Sequence, residues 1–459
     1  MVVFSKLTTT TCTCREYVHP WTNSCTAATA GLGYNASKQS LRIYVTVYVL
    51  AMLMRGKIPT LKDLKSLILR ISQSTAFLTC HASSYSLILC CIRYIFGGFN
   101  VFTASFVPSF LASYVSILVE RPSRRGLLTL YVTNVASETL FRMAVWRGLV
   151  RPIPHGEIAI FAMAVAGILY KMKSKEKNKD SVFGLLRYIV GPWEEKKSIE
   201  VNDQSSIREN VDKDKTNQQK GIINMFFNKW FKIFIILWNK FKTLKKHRTC
   251  EHPFSCVHYV TQGSLKLFSV GYSLQVCLKL LLQMKRIVKN PKLISRCLFH
   301  RDALRFGAFL GGFSGLFRVT SCLLRWLTDC NSACHSIPAG LVAGLSFTFF
   351  PDVTIALYLL WKWVELMYSD GVEKGYFPEL PGATILLYCT STAVLFHAAL
   401  LEPNNLRPSY WKFLHRISGG WIVTMDRKPM DVFGLESSSS LARVLKETGT
   451  NYLLYPHFG

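Results

Sequence analysis

The chain has 459 residues, half of them hydrophobic, and carries 55 Lys and Arg against 27 Asp and Glu for a formal net charge of +28. Its mean hydropathy is positive, at +0.22. Fourteen cysteines spread over this length exclude a small disulfide scaffold, and a basic excess without a nucleic-acid motif points to anionic lipid headgroups rather than nucleic acid.

The start, Met1-Val2-Val3-Phe4-Ser5-Lys6, runs into Thr and Cys residues rather than a sustained apolar core, so no cleavable signal peptide is expected. Residues 1–35 form a cysteine-containing segment in which Cys12, Cys14, His19 and Cys25 are a loose set of metal-ligand types. Hydrophobic elements then begin near 41, 71, 101, 127 and 157. A second series begins near 264, 303, 337, 353 and 383. Stretches 101–119, 157–170, 264–282, 303–324, 337–350 and 383–400 hold few charges, and several fall short of the roughly 20 residues that cross the hydrocarbon. Flanking Tyr, Trp, Lys and Arg lengthen them at headgroup level. The pattern favours an all-α polytopic membrane protein of about eight to eleven hydrophobic elements over a large soluble helical protein, which would show more acidic amphipathic faces.

The two series pair in one order. Ser40-Leu41-Arg42-Ile43-Tyr44 is answered by Ser264-Leu265-Lys266-Leu267-Phe268, Cys91-Ile92-Arg93-Tyr94 by Leu323-Leu324-Arg325-Trp326, Pro108 by Pro338, and Tyr131 with Glu138 by Tyr358 with Glu365. This predicts two duplicated multi-helix halves, 36–193 and 264–420, which could enclose a path at the membrane midplane. Between them lie a polar linker, 194–221, and a basic, aromatic surface helix or extra span with a Cys/His loop, 222–263; residues 421–459 form a tail. Basic residues after the first, third and fifth elements follow the positive-inside rule. The basic flanks on both sides of the element at 264 conflict with it, so orientation and repeat symmetry stay open.

Several residues are candidates for function. Gly307, Gly311 and Gly315 share one helix face, and Gly340 with Gly344 repeats the spacing; these read as packing seams. The first half has Thr75, Thr79 and Ser83, then Ala112 and Ser116, instead. Glu138 with Arg142 and Lys362 with Glu365 are ion pairs, structural or part of an intramembrane path. Arg121, Arg124 and Arg125 are expected at the interface, against lipid phosphate. Cys250, His252, Cys256 and His258 supply zinc-type ligands, but with gaps shorter than a usual finger, so reduced or packing cysteines explain them as well and no cofactor is expected. No phosphate loop, nucleophile elbow or HExxH helix is present, so an enzyme is not expected.

The run from Ser113 to Tyr131, centred on Glu120-Arg121-Pro122-Ser123-Arg124-Arg125-Gly126 and continuing through Glu138-Thr139-Leu140-Phe141-Arg142-Met143, resembles the transmembrane protein 135 family, also called peroxisomal membrane protein 52. So do Leu406 to Leu414, Asp431-Val432-Phe433-Gly434, and the N-terminal Cys14, Glu16, His19, Trp21 and Cys25. The resemblance implies a multi-pass protein of peroxisomal and mitochondrial membranes, found also near lipid droplets, with distant similarity to inner-membrane translocase subunits. It implies a role in mitochondrial fission and fusion balance, peroxisome organisation and lipid metabolism, but no catalytic residues. Two mechanisms follow. Cytosolic loops could gather a dynamin-type fission factor, or a path between the halves could pass a fatty acid, cholesterol or a small metabolite.

Overall fold

The structure is a computed structural model that describes residues 9–54, 60–174, 181–194, 239–291 and 293–450. Beyond Glu194 the expected polar linker lies outside the described residues, as do the expected surface helix or extra span at 222–238 and the end of the tail from 451. Among the described residues the chain is all helix, apart from one isolated bridge between Thr10 and Phe99. It divides into two compact units, unit 1 of Met1–Ile153 with Tyr368–Gly459 and unit 2 of Pro154–Met367.

In unit 1, a one-turn helix α1 (Cys14–Tyr17) precedes the long helices α2 (Cys25–Met54) and α3 (Leu61–Phe96). A π-turn, Phe102–Phe106, leads into α4 (Val107–Val119), and α5 (Pro122–Trp146) follows. Helix α3 starts where Thr60 and Asp63 form a reciprocal capping box and stops at Gly97, whose left-handed backbone (φ 66°) suits glycine. Val119 is the last residue of α4 before extended Glu120. Its carbonyl accepts from Gln73 at 3.0 Å, and Arg125 donates to the carbonyls of Leu118 and Glu120, both at 3.0 Å.

Unit 2 opens with α6 (Gly156–Ser174) and α7 (Ser181–Val190), then α8 (Cys256–Lys289), α9 (Leu293–Leu298), α10 (Arg301–Thr328) and α11 (Ser336–Gly344). Helix α12 (Val353–Glu373) runs across the division, and unit 1 resumes with α13 (Ala383–Leu401), α14 (Pro408–Ile417), α15 (Trp421–Thr424) and α16 (Ser437–Thr448). In unit 1, α3 packs on α2 and α4, while α13, from late in the chain, packs on α4 and α5. In unit 2, α10 packs on α8 and α11, while α6, from early in the chain, packs on α11. Unit 1 therefore takes α13 from far along the sequence, whereas unit 2 is one continuous segment closed by its first helix.

Among the described residues, five helical segments are long and apolar enough to cross a membrane: Leu61–Phe96, Phe102–Val119, Cys256–Met284, Leu293–Thr328 and Ala383–Leu401. The protein is thus all-α with a multi-span arrangement. The stretch at 157–170 is not among the five. It belongs to α6, which holds Glu157, Lys171 and Lys173 within 19 residues. The stretch at 337–350 belongs to a shorter apolar segment, Ala333–Phe349. Helices α5 and α12, with their internal ion pairs, are not among the five either.

Glycine decides the tightest helix contacts. A Cβ on Gly311 would lie 2.9 Å from both Phe268 Cβ and the Ser264 carbonyl oxygen, and one on Gly307 would lie 3.0 Å from the Phe268 carbonyl oxygen. Gly315 faces the Ser264 hydroxyl, so all three glycines lie along α8. Gly340 and Gly344 lie on Ala166 and Ala162 of α6, where an added Cβ would come within 2.7 Å and 2.5 Å of their atoms. On α3 the crossing is built the other way round, with Ser83 facing Gly33 of α2.

Candidate functional site

Unit 1 encloses an apolar cavity of about 360 Å³ between α2, α3, α5, α13 and α14. That is within the roughly 300–1,000 Å³ of small-molecule sites. Phe77, His81 and Tyr85 recur every four residues on α3 and so share one face that lines it. Phe396 of α13 stands 5.1 Å from His81 and 5.0 Å from Tyr85 between ring centroids. Trp21 and Trp421, 4.6 Å apart, form another part of the wall. His81 uses Nδ1 on the Ser116 hydroxyl at 3.2 Å. Its Nε2, the Tyr85 hydroxyl and the Trp21 indole N–H are buried without a hydrogen-bond partner. A buried polar atom left unpaired costs about 1–3 kcal/mol, and these three belong to residues that line one apolar space.

At one end of α3, Cys14, His19, Cys25 and Cys90 place their ligand atoms within 4.8 Å of one another. His19 Nδ1 lies 3.0 Å from the Thr22 carbonyl oxygen, which as acceptor sets the proton on that nitrogen and leaves Nε2 bare, 3.3 Å from Cys25 Sγ. Arg93, one turn beyond Cys90, donates to the Cys12 and Thr11 carbonyls at 2.5 Å and 2.9 Å and fixes the segment before α1. A hydrogen bond from the Cys90 thiol holds the Cys14 thiol well below the ordinary thiol range.

Unit 2 carries a second such group, Cys250, His252, Cys256 and Cys322, again within 4.8 Å. Cys256 and Cys250 are 3.9 Å apart at sulfur, and His252 Nε2 is 3.7 Å from Cys322 Sγ. His252 Nδ1 meets the Phe254 carbonyl at 2.6 Å, so its ring is oriented as that of His19 is, and it stacks on Tyr259 at 4.6 Å. A hydrogen bond from Cys322 draws the Cys250 thiol down. Beside this group Arg325 grips Glu194 at 3.2 Å and 2.5 Å, with Ser321 and Tyr259 donating to the same carboxylate at 3.0 Å and 3.3 Å and Lys173 Nζ 3.7 Å away. Arg325 and Glu194 are buried.

The structure places the sequence candidates as follows. Glu138 is buried on α5 and joins Arg142 at 2.5 Å and also Arg407, which precedes α14. Lys362 meets Glu365 at 3.0 Å, with Lys362 buried and Glu365 half exposed. Arg124 bonds the Ser74 hydroxyl and lies 3.5 Å from buried Glu120, while Arg121 donates to the Tyr48 hydroxyl at 3.1 Å. With Arg125 on the end of α4, all three interfacial arginines are engaged within unit 1. His258 stands outside the second cluster, edge-on to Phe254, and Cys322 fills the position expected of it. Cys12 likewise stands outside the first, where Cys90 completes the set.

Residues 11–145 match the family model described as the N-terminal cysteine-rich region of Transmembrane protein 135. The match takes in α1 to α5 almost whole, with Cys14, His19, Cys25 and Cys90 and the cavity face of α3. No solved structure matches the chain.

Proposed function

We propose that the protein is a multi-pass protein of peroxisomal and mitochondrial membranes that takes an amphiphilic lipid, a fatty acid or a sterol, into the cavity of unit 1. The observation that carries this reading is the pairing of an apolar wall with three unpaired polar atoms, His81 Nε2, Tyr85 Oη and Trp21 Nε1. A long apolar body with one polar end fits that combination, whereas a polar metabolite would find too few partners. The link to fission and fusion balance, peroxisome organisation and lipid metabolism then follows from lipid supply. The organelle and the translocase likeness rest on the sequence resemblance alone. The net charge supports anionic headgroups as the surrounding partners.

The same reading takes the two units as duplicates. In its favour, Phe77, His81 and Tyr85 precede Cys90 by the same 13, 9 and 5 residues by which Phe309, Phe313 and Phe317 precede Cys322. Arg93 and Arg325 follow those cysteines by three residues. Left-handed Gly97 and Asp329 then close α3 and α10 with N–H bonds back to the two arginine carbonyls. Counted from Cys25 and Cys256, the first residues of α2 and α8, Gly33 stands with Ser264 and Ser40 with Gly271. That register differs from the pairing of Ser40 with Ser264.

The test is equilibrium binding of labelled oleate and labelled cholesterol to the full chain in nanodiscs. Saturable binding of one of them, weakened about tenfold or more in the His81→Phe, Tyr85→Phe double variant, is expected. Equal binding by the variant, or none by a folded wild type, contradicts the proposal.

A further inference from the structure

Each of the two cysteine–histidine clusters brings three thiols and one imidazole to a single point, from parts of the chain that are far apart in sequence. Cys14, His19 and Cys25 come from α1, its following loop and the first residue of α2, and Cys90 from α3, with ligand atoms within 4.8 Å of one another. Cys250, His252 and Cys256 come from a loop and the first residue of α8, and Cys322 from α10, within the same distance. A tetrahedral zinc site with Zn–S near 2.3 Å and Zn–N near 2.0–2.1 Å has ligand–ligand edges of roughly 3.5–3.8 Å. The edges at 3.3 Å (His19 to Cys25), 3.9 Å (Cys250 to Cys256) and 3.7 Å (His252 to Cys322) are close to that value.

The histidines carry the argument further. In both clusters Nδ1 is tied to a backbone carbonyl a few residues on, Thr22 or Phe254, so Nε2 is the free lone pair and faces a cysteine sulfur. A carbonyl holding the far ring nitrogen is the usual outer-shell support of a metal-bound histidine. A disulfide accounts for less, because it would use two thiols and leave the third thiol and the oriented imidazole without a task.

We propose that each cluster binds one zinc ion through three cysteine thiolates and one histidine Nε2, two ions per chain. Binding displaces the three thiol protons at each site. Each ion ties a segment with little core of its own to the end of an antiparallel helix pair, α2 with α3 in unit 1 and α8 with α10 in unit 2. Arg93, one turn beyond Cys90, brings a positive charge near the first zinc and its three thiolates, whereas Arg325, one turn beyond Cys322, is already paired with Glu194. The role is structural, since all four positions of a tetrahedral ion are filled by protein.

The experiment is elemental analysis of the full chain, purified in detergent without chelator or added metal, alongside a count of free thiols and disulfides. Two zinc ions per chain are expected. One ion should remain in the Cys14→Ser, Cys25→Ser variant, one in the Cys250→Ser, Cys256→Ser variant, and two in Cys277→Ser, whose exposed cysteine lies outside both clusters. If a double variant fails to fold, cobalt exchange into the wild-type chain decides. Intense visible bands of tetrahedral cobalt–thiolate, saturating at two equivalents, support the assignment. One zinc or fewer per chain, iron in place of zinc, disulfides within the clusters, or cobalt bands of six-coordinate type would overturn it.

Discussion

Units 1 and 2 place the same set of four ligand types at the end of a tightly packed helix pair, yet fill the space along that pair differently. In unit 2, Phe309, Phe313 and Phe317 on α10 belong to an aromatic core. Phe161 of α6 lies flat on Phe347, 4.1 Å away at 6°, and edge-on to Phe309 and Phe313 at 5.7 Å and 6.1 Å. On α3, unit 1 has Phe77, His81 and Tyr85 around a cavity. One buried helix face thus serves as core with phenylalanine and as cavity wall with histidine and tyrosine. The arginine one turn past the cysteine diverges as well. Arg325 is spent on buried Glu194, Arg93 on backbone carbonyls. Unit 1 keeps space beside His81, Tyr85 and Trp21, whose buried polar atoms have no hydrogen-bond partner.

The largest effect should come from the buried carboxylate of unit 2. Glu194→Ala strands Arg325 and removes an acceptor from Ser321 and Tyr259, and loss of one partner of a buried pair costs about 3–5 kcal/mol. Thermal unfolding in detergent should show the drop, while Arg93→Ala in unit 1, where no buried carboxylate is left behind, should lose clearly less. Similar losses for the two would erase the contrast. Next, Gly311→Val should cost about 1–3 kcal/mol or more by forcing α8 and α10 apart at Phe268 and Ser264. Phe313→His carries the unit 1 residue into the unit 2 core and should cost about 1–3 kcal/mol through an unpaired buried imidazole. An unchanged melting temperature there would mean that unit 2 tolerates a polar wall as readily as unit 1 does. Smallest of all, Gly126→Ala on α5 meets open space and should stay within about 0.5 kcal/mol of wild type.

Much of the helical framework could be read from apolar clustering, because crossing a membrane demands long apolar runs, and four of the five candidate spans overlap expected stretches closely. Leu61–Phe96 was visible only as an element near 71, since Lys62, Lys65 and Arg70 dilute its first turns. The glycine seam on α10 was legible because its four-residue spacing has one physical meaning. Other features depended on folding. Cys90 and Cys322 lie inside apolar helices, where a cysteine reads as a small hydrophobe, and each follows its nearest cluster partner, Cys25 or Cys256, by 65 or 66 residues. The near-equal spacing was the available signal. Glu194 stands at the head of a polar run and reads as solvated, although 1% of its surface is exposed. Arg121, Arg124 and Arg125 look like lipid contacts in sequence, and Tyr48 and Ser74, which Arg121 and Arg124 bond, lie on helix faces that only the packing brings to them.

The most direct test of the contrast between the cavity of unit 1 and the aromatic core of unit 2 is photolabelling in membranes with diazirine-bearing fatty acid and sterol probes, followed by peptide mapping. The account predicts labelling, displaced by the unmodified lipid, on the α3 peptide that holds His81 and Tyr85, and none that can be displaced on the α10 peptide that holds Phe313 and Phe317. Equal displaceable labelling of the two peptides, or displaceable labelling of the α10 peptide alone, would contradict it.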